Sequence, residues 1–534
     1  MPSMRSVLVR HSERTSLSRR GLLALGGAAA LGAGAAGLPA FGLPATSPAR
    51  NGLRLSDHPF RLGVASGEPR PDGVVLWTRL APQPLAEDGL GGMPRRTVPV
   101  RWEIAEDSAM RRVVRRGTVR AEPDLAHAVH VPVRGLRPGR EYWYRFAAAG
   151  EISDAGRTRT APAPGATVPL DLAFVSCQQW DAGFYTALGH LARQDLDAVV
   201  HLGDFIYENG IDADGGVRGV RLSDAHAAET VTLEQYRLRH ALVGSDPDLI
   251  AARQAAPFVA LVDDHDVQDN WAGWTEPTGA TPENYLRRRA AAFRAFYEHL
   301  PMDPATLPRT FRMPLARRLD FGSLASLFVL DERQFRSPED ITRRTDPKRT
   351  MLGTGQEKWL LDGLGSSHAT WNVLANQVMM FQLDRLTDPG LQQLNPDTWD
   401  GYAAARDRLL RGIAARRVPN PVVMTGDSHV NCAANLALDF DDPDAPATAT
   451  EFLGTSVTSG GDGADMTEAG REWLAANPHL KFYNNQRGYL RCHVTPGLWR
   501  TDYLVVDRVT EAGGSTSVRA SFVVEAGRAG VQDA

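Results

Sequence analysis

LAFVSCQQWDAGFYTALGHLARQDLDAVVHLGD, residues 172–204, decides the fold class. Its two ends, LAFVSC (172–177) and AVVHLGD (198–204), are unbroken apolar runs. Such runs suit strands covered on both faces, whereas a half-solvated strand alternates. Between them YTALGHLARQDLDA (185–198) places its apolar residues at three- and four-residue steps, which predicts a helix. The pattern continues downstream. FVALVDDHD (258–266), LASLFVLDERQ (324–334), WNVLANQV (371–378) and PVVMTGDSH (421–429) are further apolar runs separated by helical stretches. Residues 167–534 therefore read as an α/β domain. It carries large insertions at 209–256 and 383–420, and β character returns in YLRCHVTP, DYLVVDRV and VRASFVVE. No internal repeat is visible.

Upstream the period changes. VPVRWEIAED, HAVHVPV and EYWYRFAAA alternate apolar and polar residues with period two. GLRPGREY (135–142) supplies a Pro/Gly turn feeding one of these strands. Residues 51–160 thus read as a separate all-β domain, a small β-sandwich. APAPGA (161–166) is the linker to the α/β domain.

The 534 residues exceed what one compact core holds, which fits two folded domains. A formal net charge of −4 argues against non-specific nucleic-acid binding. Lysine occurs only at Lys348, Lys358 and Lys481, so the basic residues are nearly all arginine, a bias read as codon usage and not as function. At the N-terminus, SLSRRGLL (16–23) sets Arg19 and Arg20 before the Gly/Ala-rich stretch GLLALGGAAALGAGAAGL. A paired arginine before a weakly apolar segment and a small-residue region fits a twin-arginine export signal over residues 1–46. The alternative, a membrane anchor, needs about 20 strongly apolar residues, and this stretch is short and Gly-rich. The expectation is export by the twin-arginine machinery to a periplasmic, wall-associated or extracellular place, with no stable span in the mature chain. That route carries folded proteins, often with metal already loaded.

Three cysteines, Cys177, Cys432 and Cys492, permit at most one disulfide, so disulfides do not hold this exported chain together. Cys432 and Cys492 read as buried structural thiols. Cys177 has three readings: a buried apolar residue, half of a disulfide, or a metal ligand. Its neighbours weigh the choice. Four apolar runs end in ligand-type residues: Ser176-Cys177, Gly203-Asp204-Phe205-Ile206-Tyr207, Asp263-Asp264-His265-Asp266 and Gly426-Asp427-Ser428-His429. Each alone has a structural explanation as a turn, a helix cap or a packed side chain. Together they point to a metal site, because α/β folds place their sites at the carboxyl ends of strands.

The residue types suggest two ions. A carboxylate suits the bridge between cations held roughly 3.5–4 Å apart, and Asp204 is the candidate. Cys177, Tyr207 and His429 with Asp204 form a mixed S/O/N set suited to a transition metal such as iron(III), which can hold a phenolate. Tyr207 reaches that side if the loop after Asp204 takes a helical turn. Asp264 and Asp427, again with Asp204, form an all-oxygen set suited to a hard ion such as calcium. Such a pair grips two phosphate oxygens and activates a metal-bound hydroxide for in-line attack. His265 is then the proton donor to the leaving oxygen or a donor to the transition-state oxygens.

The ordered set FVSCQ, HLGDFIYE, DDHDVQDN and MTGDSHVN resembles the PhoD-like alkaline phosphatase and phosphodiesterase family. This is a branch of the calcineurin-like and purple-acid-phosphatase-like metallophosphoesterases. HPFRLGVASGEPRPDGVVLWTRLAP, LDERQFR, VLANQVMM, EFLGTSVTSGG and QRGYLRCHV extend the resemblance over nearly the whole mature chain. The resemblance implies a four-layer αββα sandwich with an N-terminal all-β domain of immunoglobulin or fibronectin type. It implies an iron(III) and calcium centre, with iron on Cys177, Asp204, Tyr207 and His429 and calcium on Asp204, Asp264 and Asp427. Asn270 is a further candidate for calcium or phosphate. Against the wider superfamily, Ser-Cys replaces an Asp-x-His first motif and Gly-Asp-Ser-His replaces Gly-His-x-His. Both departures occur in the PhoD-like group and argue against a di-zinc or di-manganese site.

For substrate phosphate, ENYLRRRAAAFRAFYEHLP offers Arg287, Arg288 and Arg289, and LDERQFR offers Arg333 and Arg336. Arg288 is the selected candidate, against the alternative of a solvated charge run. The resulting expectation is an exported phosphoric ester hydrolase acting on monoesters, diesters or both, with a phospholipase D-like diesterase as the near alternative. Two other classes stay open: an exported iron redox enzyme, and a wall-binding protein built on the β-domain.

Overall fold

Alternate side chains of the strand Leu170–Val175 enter two different cores. Leu170, Leu172 and Phe174 pack in one, and Ala173 and Val175 in the other. The same division runs through Ala325–Val329, Trp371–Ala375 and Pro421–Thr425. There Leu327, Val329, Val373, Ala375, Val422 and Met424 share the core of Leu172 and Phe174, while Phe328, Leu374 and Val423 point the opposite way. Period-two strands that are apolar on both faces need two covers. The cover on one side is the other sheet, and on the other side it is helices.

The computed structural model describes residues 55–275, 281–388 and 390–534. The segment read as a twin-arginine signal, 1–46, lies outside these. A ten-stranded sheet contains the parallel strands Leu170–Val175, Ala198–His201 and Phe258–Ala260. A seven-stranded sheet contains the parallel run Ala325–Val329, Trp371–Ala375, Pro421–Thr425 and Ala447–Leu453. The two sheets press face to face. Leu233–Gly244, Pro247–Ala255 and Pro282–His299 are among the helices outside the larger sheet, and Gly353–Gly365 and Ala403–Ala415 outside the smaller. This is the four-layer αββα sandwich. The helix expected over 185–198 is shorter, Thr186–Leu191, and a turn in which the Gln194 amide donates to the Leu191 carbonyl at 2.9 Å leads toward the next strand.

The all-β region forms a two-layer sandwich around Val74, Leu76, Val100, Ile104, Tyr144 and Phe146. One of its layers was not expected from sequence. Val64–Arg70, Gly73–Arg79 and Ala128–Arg134 continue the ten-stranded sheet, with Gly67 registered on Phe258 in a parallel pair. Gly67 permits the join, since a Cβ there would lie 2.5 Å from the carbonyl oxygens of both Phe258 and Pro301. The C-terminal strands Gly488–Val494, Leu498–Val506, Thr516–Glu525 and Arg528–Asp533 complete the opposite edge. Among the described residues, no helix is long and apolar enough to cross a membrane.

Candidate metal centre

The strands Leu170–Val175, Ala198–His201 and Phe258–Ala260 are parallel, so their carboxyl ends deliver Cys177, Asp204 and Asp264 to one edge of the larger sheet. Pro421–Thr425 ends at the same edge of the smaller sheet and delivers Asp427 and His429. A parallel bridge from Ser176 to Ser456 ties the two sheets there. The chain reverses tightly at each delivery. Cys177, Asp204, Asn270, Asp427 and His429 have φ of +57°, +55°, +52°, +66° and +54°. Left-handed backbone at a residue with a Cβ costs about 1–3 kcal/mol and persists where the surroundings impose it. Five of the seven candidate ligands carry that strain. Gly203, at φ +121°, lets Asp204 approach the neighbouring loop, because a Cβ there would sit 2.3 Å from the Cβ of Asp263.

Ligand atoms of Cys177, Asp204 and His429 lie within 4.8 Å of one another, as do those of Asp204, Asp264 and His265, and those of Asp263, Asp264 and Asp427. Asp204 belongs to the first two groups and so stands between a sulfur/nitrogen side and an oxygen side. Tyr207 joins the first side, its hydroxyl 3.1 Å from Nε2 of His429. The loop makes no helical turn to achieve this. The carboxylate of Asp266 accepts the amides of Asp204, Phe205 and Ile206 at 3.1, 3.0 and 3.3 Å, and that of Asp263 at 3.0 Å, so a bend replaces the helical bonding expected for 204–207. Ser459, from the SVTSGGDG loop, donates to the Cys177 carbonyl at 2.9 Å, and its hydroxyl oxygen lies 2.8 Å from that of Tyr207. That loop is part of the site.

The electrostatics fit a missing positive charge. Burial, reinforced by Asp204 and Asp427, pushes the Cys177 thiol well above its usual range. Burial and the neighbouring Cys177 and Asp204 do the same to the Tyr207 phenol. Burial and nearby carboxylates raise Asp204 and Asp427. A cation among these groups reverses that preference and ionises them. Burial, with Arg487 and His265 nearby, lowers His429 to about 4, leaving the neutral imidazole that metal binding requires. The donors therefore suit a soft-to-intermediate ion beside a hard one.

His265 sits at the rim, its ring stacked on that of Tyr207 at 4.2 Å. Its Nδ1 bonds Glu208 at 2.8 Å, and its amide donates to Asp204 at 3.3 Å. Burial opposes its charged form, but Asp264, Asp204 and Glu208 outweigh burial and raise it well above the usual histidine range. Asn270 is close by, its amide donating to Asp264 at 2.8 Å.

The arginines sort differently from the sequence expectation. Arg333 is fully buried, 2.6 Å from Asp263 and 2.7 Å from Asp397, with Asp264 at 3.3 Å and Asp427 at 3.6 Å. Arg336 binds Asp397 and Glu339. Both guanidiniums are engaged by carboxylates. Arg289 spends its donors on the carbonyls of Phe311 and Gly273, and Arg287 donates to Asn284. Arg288 is not brought to the cluster. Among the described residues its side chain meets Tyr236 at 3.0 Å and Glu229 at 2.6 Å, and Tyr236 donates in turn to the Val267 carbonyl. Cys432 and Cys492 are buried and free. Glu208, Asp397 and Ser459 escaped the sequence reading as site residues, and Asp263 and Asp266, named in a ligand-type run, received no role there. Four of them adjoin or lie within its motifs, but an acid aimed at an ion and one aimed at an amide look alike in sequence.

A family model for PhoD-like phosphatase matches residues 172–503, and one for the PhoD-like phosphatase N-terminal domain matches residues 45–162. Alkaline phosphatase D of Bacillus subtilis (strain 168) is 46% identical over 493 residues, 90% of this chain and 83% of the relative. A solved structure of PhoD superposes with a TM-score of 0.86 at 45% identity, covering 90% of this chain and 93% of that one. Purple acid phosphatase PPD1 from yellow lupin seeds matches with a TM-score of 0.53 at 13% identity, over 86% of this chain and 74% of that one, a likeness of fold.

Proposed function

The chain belongs to the PhoD-like phosphatase family and is an alkaline phosphatase D-like phosphoesterase, and on that premise we propose an iron–calcium centre for it. Cys177, Asp204, Tyr207 and His429 would hold iron(III). Asp204, Asp264 and Asp427, with Asn270 beside them, would hold calcium. The observation that carries this reading is the convergence of unlike donors: ligand atoms of Cys177, Asp204 and His429 within 4.8 Å of one another, and those of Asp263, Asp264 and Asp427 likewise. Strain repeated at the delivered donors makes sense where an ion repays it. When bound, such a pair supplies charge for two phosphate oxygens and lowers the pKa of an attacking water.

The chain's own residues then do the following. Asp204 spans both donor sets and fixes their separation. Glu208 holds Nδ1 of His265 and so orients the ring, leaving Nε2 as the proton donor for the departing alkoxide. Tyr207 backs the His265 ring. Arg333 fixes the carboxylates of Asp263, Asp264 and Asp427 from behind. Arg288 acts at a distance in this reading, through Tyr236 on the 263–270 loop, and is a positioning residue.

Both monoesters and diesters are proposed substrates, a phospholipase D-like diesterase being the same site with a larger leaving group. Residues 1–46 are proposed to export the folded chain by the twin-arginine route. The test is exhaustive chelation followed by re-addition of single metals, assayed on a monoester, a diester and a phospholipid. Activity should vanish and return with iron and calcium together. Full activity after chelation without added metal would contradict the proposal.

A further inference from the structure

A cavity of about 120 Å3 opens beside Asp427 and Ser428. Its walls include Met379, Leu383, Arg385 and Trp473. The space is on the scale of the ~150 Å3 that takes one benzene-sized body. Asp427 joins it to the candidate centre, and its sides mix the apolar Met379, Leu383 and Trp473 with the polar Asn395 and Thr398 and the cation of Arg385. The wall is held in place. Asp384 accepts the amides of Leu386 and Gln393 at 3.0 Å each, its own amide donates to Asn477 at 2.9 Å, and Asn477 returns a bond to the Asp384 carbonyl at 2.8 Å. This pairing ties the 383–393 segment to the end of the helix Glu468–Ala476 and sets the Arg385 guanidinium 6.0 Å from the Trp473 ring centre.

Arg385 differs from the arginines around it. Arg333, Arg336 and Arg406 all bind buried carboxylates. Arg385 is exposed and, among the described residues, meets the Trp473 ring with no carboxylate partner. A guanidinium stacked on an aromatic face keeps its donor edge free for an anion.

We propose that this cavity is the leaving-group subsite, and that Trp473 and Arg385 select esters whose alcohol part is a small flat body ending in a second anionic group. The inference rests on the phosphoesterase reading, since it assumes that the reacting phosphate lies over Asp427. Trp473, Leu383 and Met379 cover the body, and Arg385 meets the distal anion. A singly charged alkyl ester leaves that cation unused.

The test compares 4-carboxyphenyl phosphate with 4-carbamoylphenyl phosphate on the metal-loaded enzyme. The two are nearly isosteric, and the amide is the better leaving group, so intrinsic reactivity opposes the expected preference. The wild type should favour the carboxylate by about three- to fivefold in kcat/KM, mostly through KM, as one exposed ion pair allows. The preference should shrink in high salt. In Arg385→Ala the ratio should fall to within about twofold of one, and Trp473→Ala should raise KM for both esters. A wild-type ratio near one, or a ratio unchanged in Arg385→Ala, overturns the subsite while leaving the phosphoesterase reading intact. No turnover of either ester overturns both.

Discussion

Cys177 has no exposed surface, a left-handed backbone, and a thiol within reach of Asp204 and His429. Cys432 and Cys492 are equally buried, but both lie in regular strands and, among the described residues, lack the left-handed backbone and the ligand-type neighbours of Cys177. Cys177→Ala should therefore lower activity by at least about a hundredfold, as loss of a metal ligand does, while thermal melting shifts by only a few degrees. Near-wild-type turnover would return the thiol to a packing role. Glu208→Gln keeps the shape of the His265 partner but removes its charge. It should reduce kcat about 10- to 100-fold with little change in KM, measured by steady-state kinetics. At this scale the sequence exposed the candidate ligands that the fold brings together, because Cys, Asp, Tyr and His stand at four strand ends in combination. It did not expose the supporting residues. Asp266 and Glu208 sit inside quoted motifs, but whether a carboxylate faces an ion, an amide or an imidazole depends on backbone angles that no motif specifies.

The loops that carry these ligands are rigid because buried carboxylates take the place of regular hydrogen bonding. Asp266 alone receives four backbone amides across two loops. Asp266→Ala should strand those donors in a dry interior, costing about 3–5 kcal/mol and loosening metal binding, read by denaturant titration and metal content. Unchanged stability would mean that water replaces the carboxylate. The strands themselves were legible, since their unbroken apolar runs require two covers. Which strands shared a sheet was not. That Val64–Arg70 extends the catalytic sheet depends on the bare Cα of Gly67 meeting the carbonyls of Phe258 and Pro301, a contact with a partner almost two hundred residues away. Gly67→Val should accordingly weaken the joint between the β-sandwich and the sheet, seen as lowered melting and faster exchange of amides in 64–70.

Across the molecule, several histidines outside the candidate ligand set are buried as neutral rings. Burial lowers His130 to about 4, where its Nε2 meets the carbonyls of Tyr297 and Leu300, and lowers His201 and His240 to about 3. Their unfolded pKa is about 6.5. Below that pH the unfolded chain takes up protons that the folded chain refuses, so stability is full above about 6.5 and falls as pH drops toward these folded values. Each such histidine contributes a slope of about 1.4 kcal/mol per pH unit in that window. Thermal melts between pH 7 and pH 4.5 should fall steeply, and His130→Gln should flatten the curve by about one proton. The sequence held these histidines but not their burial, which arises only when the layers close over them.

In the proposed centre, the strand-end cluster would hold unlike ions on unlike donor sets, with Asp204 shared between them. Metal analysis of the purified chain and of Cys177→Ala, made in parallel, addresses it most directly. Close to one iron and at least one calcium per wild-type chain are expected, with iron lost and calcium kept in the variant. Two equivalents of a single transition metal in the wild type, or undiminished iron in Cys177→Ala, would contradict it.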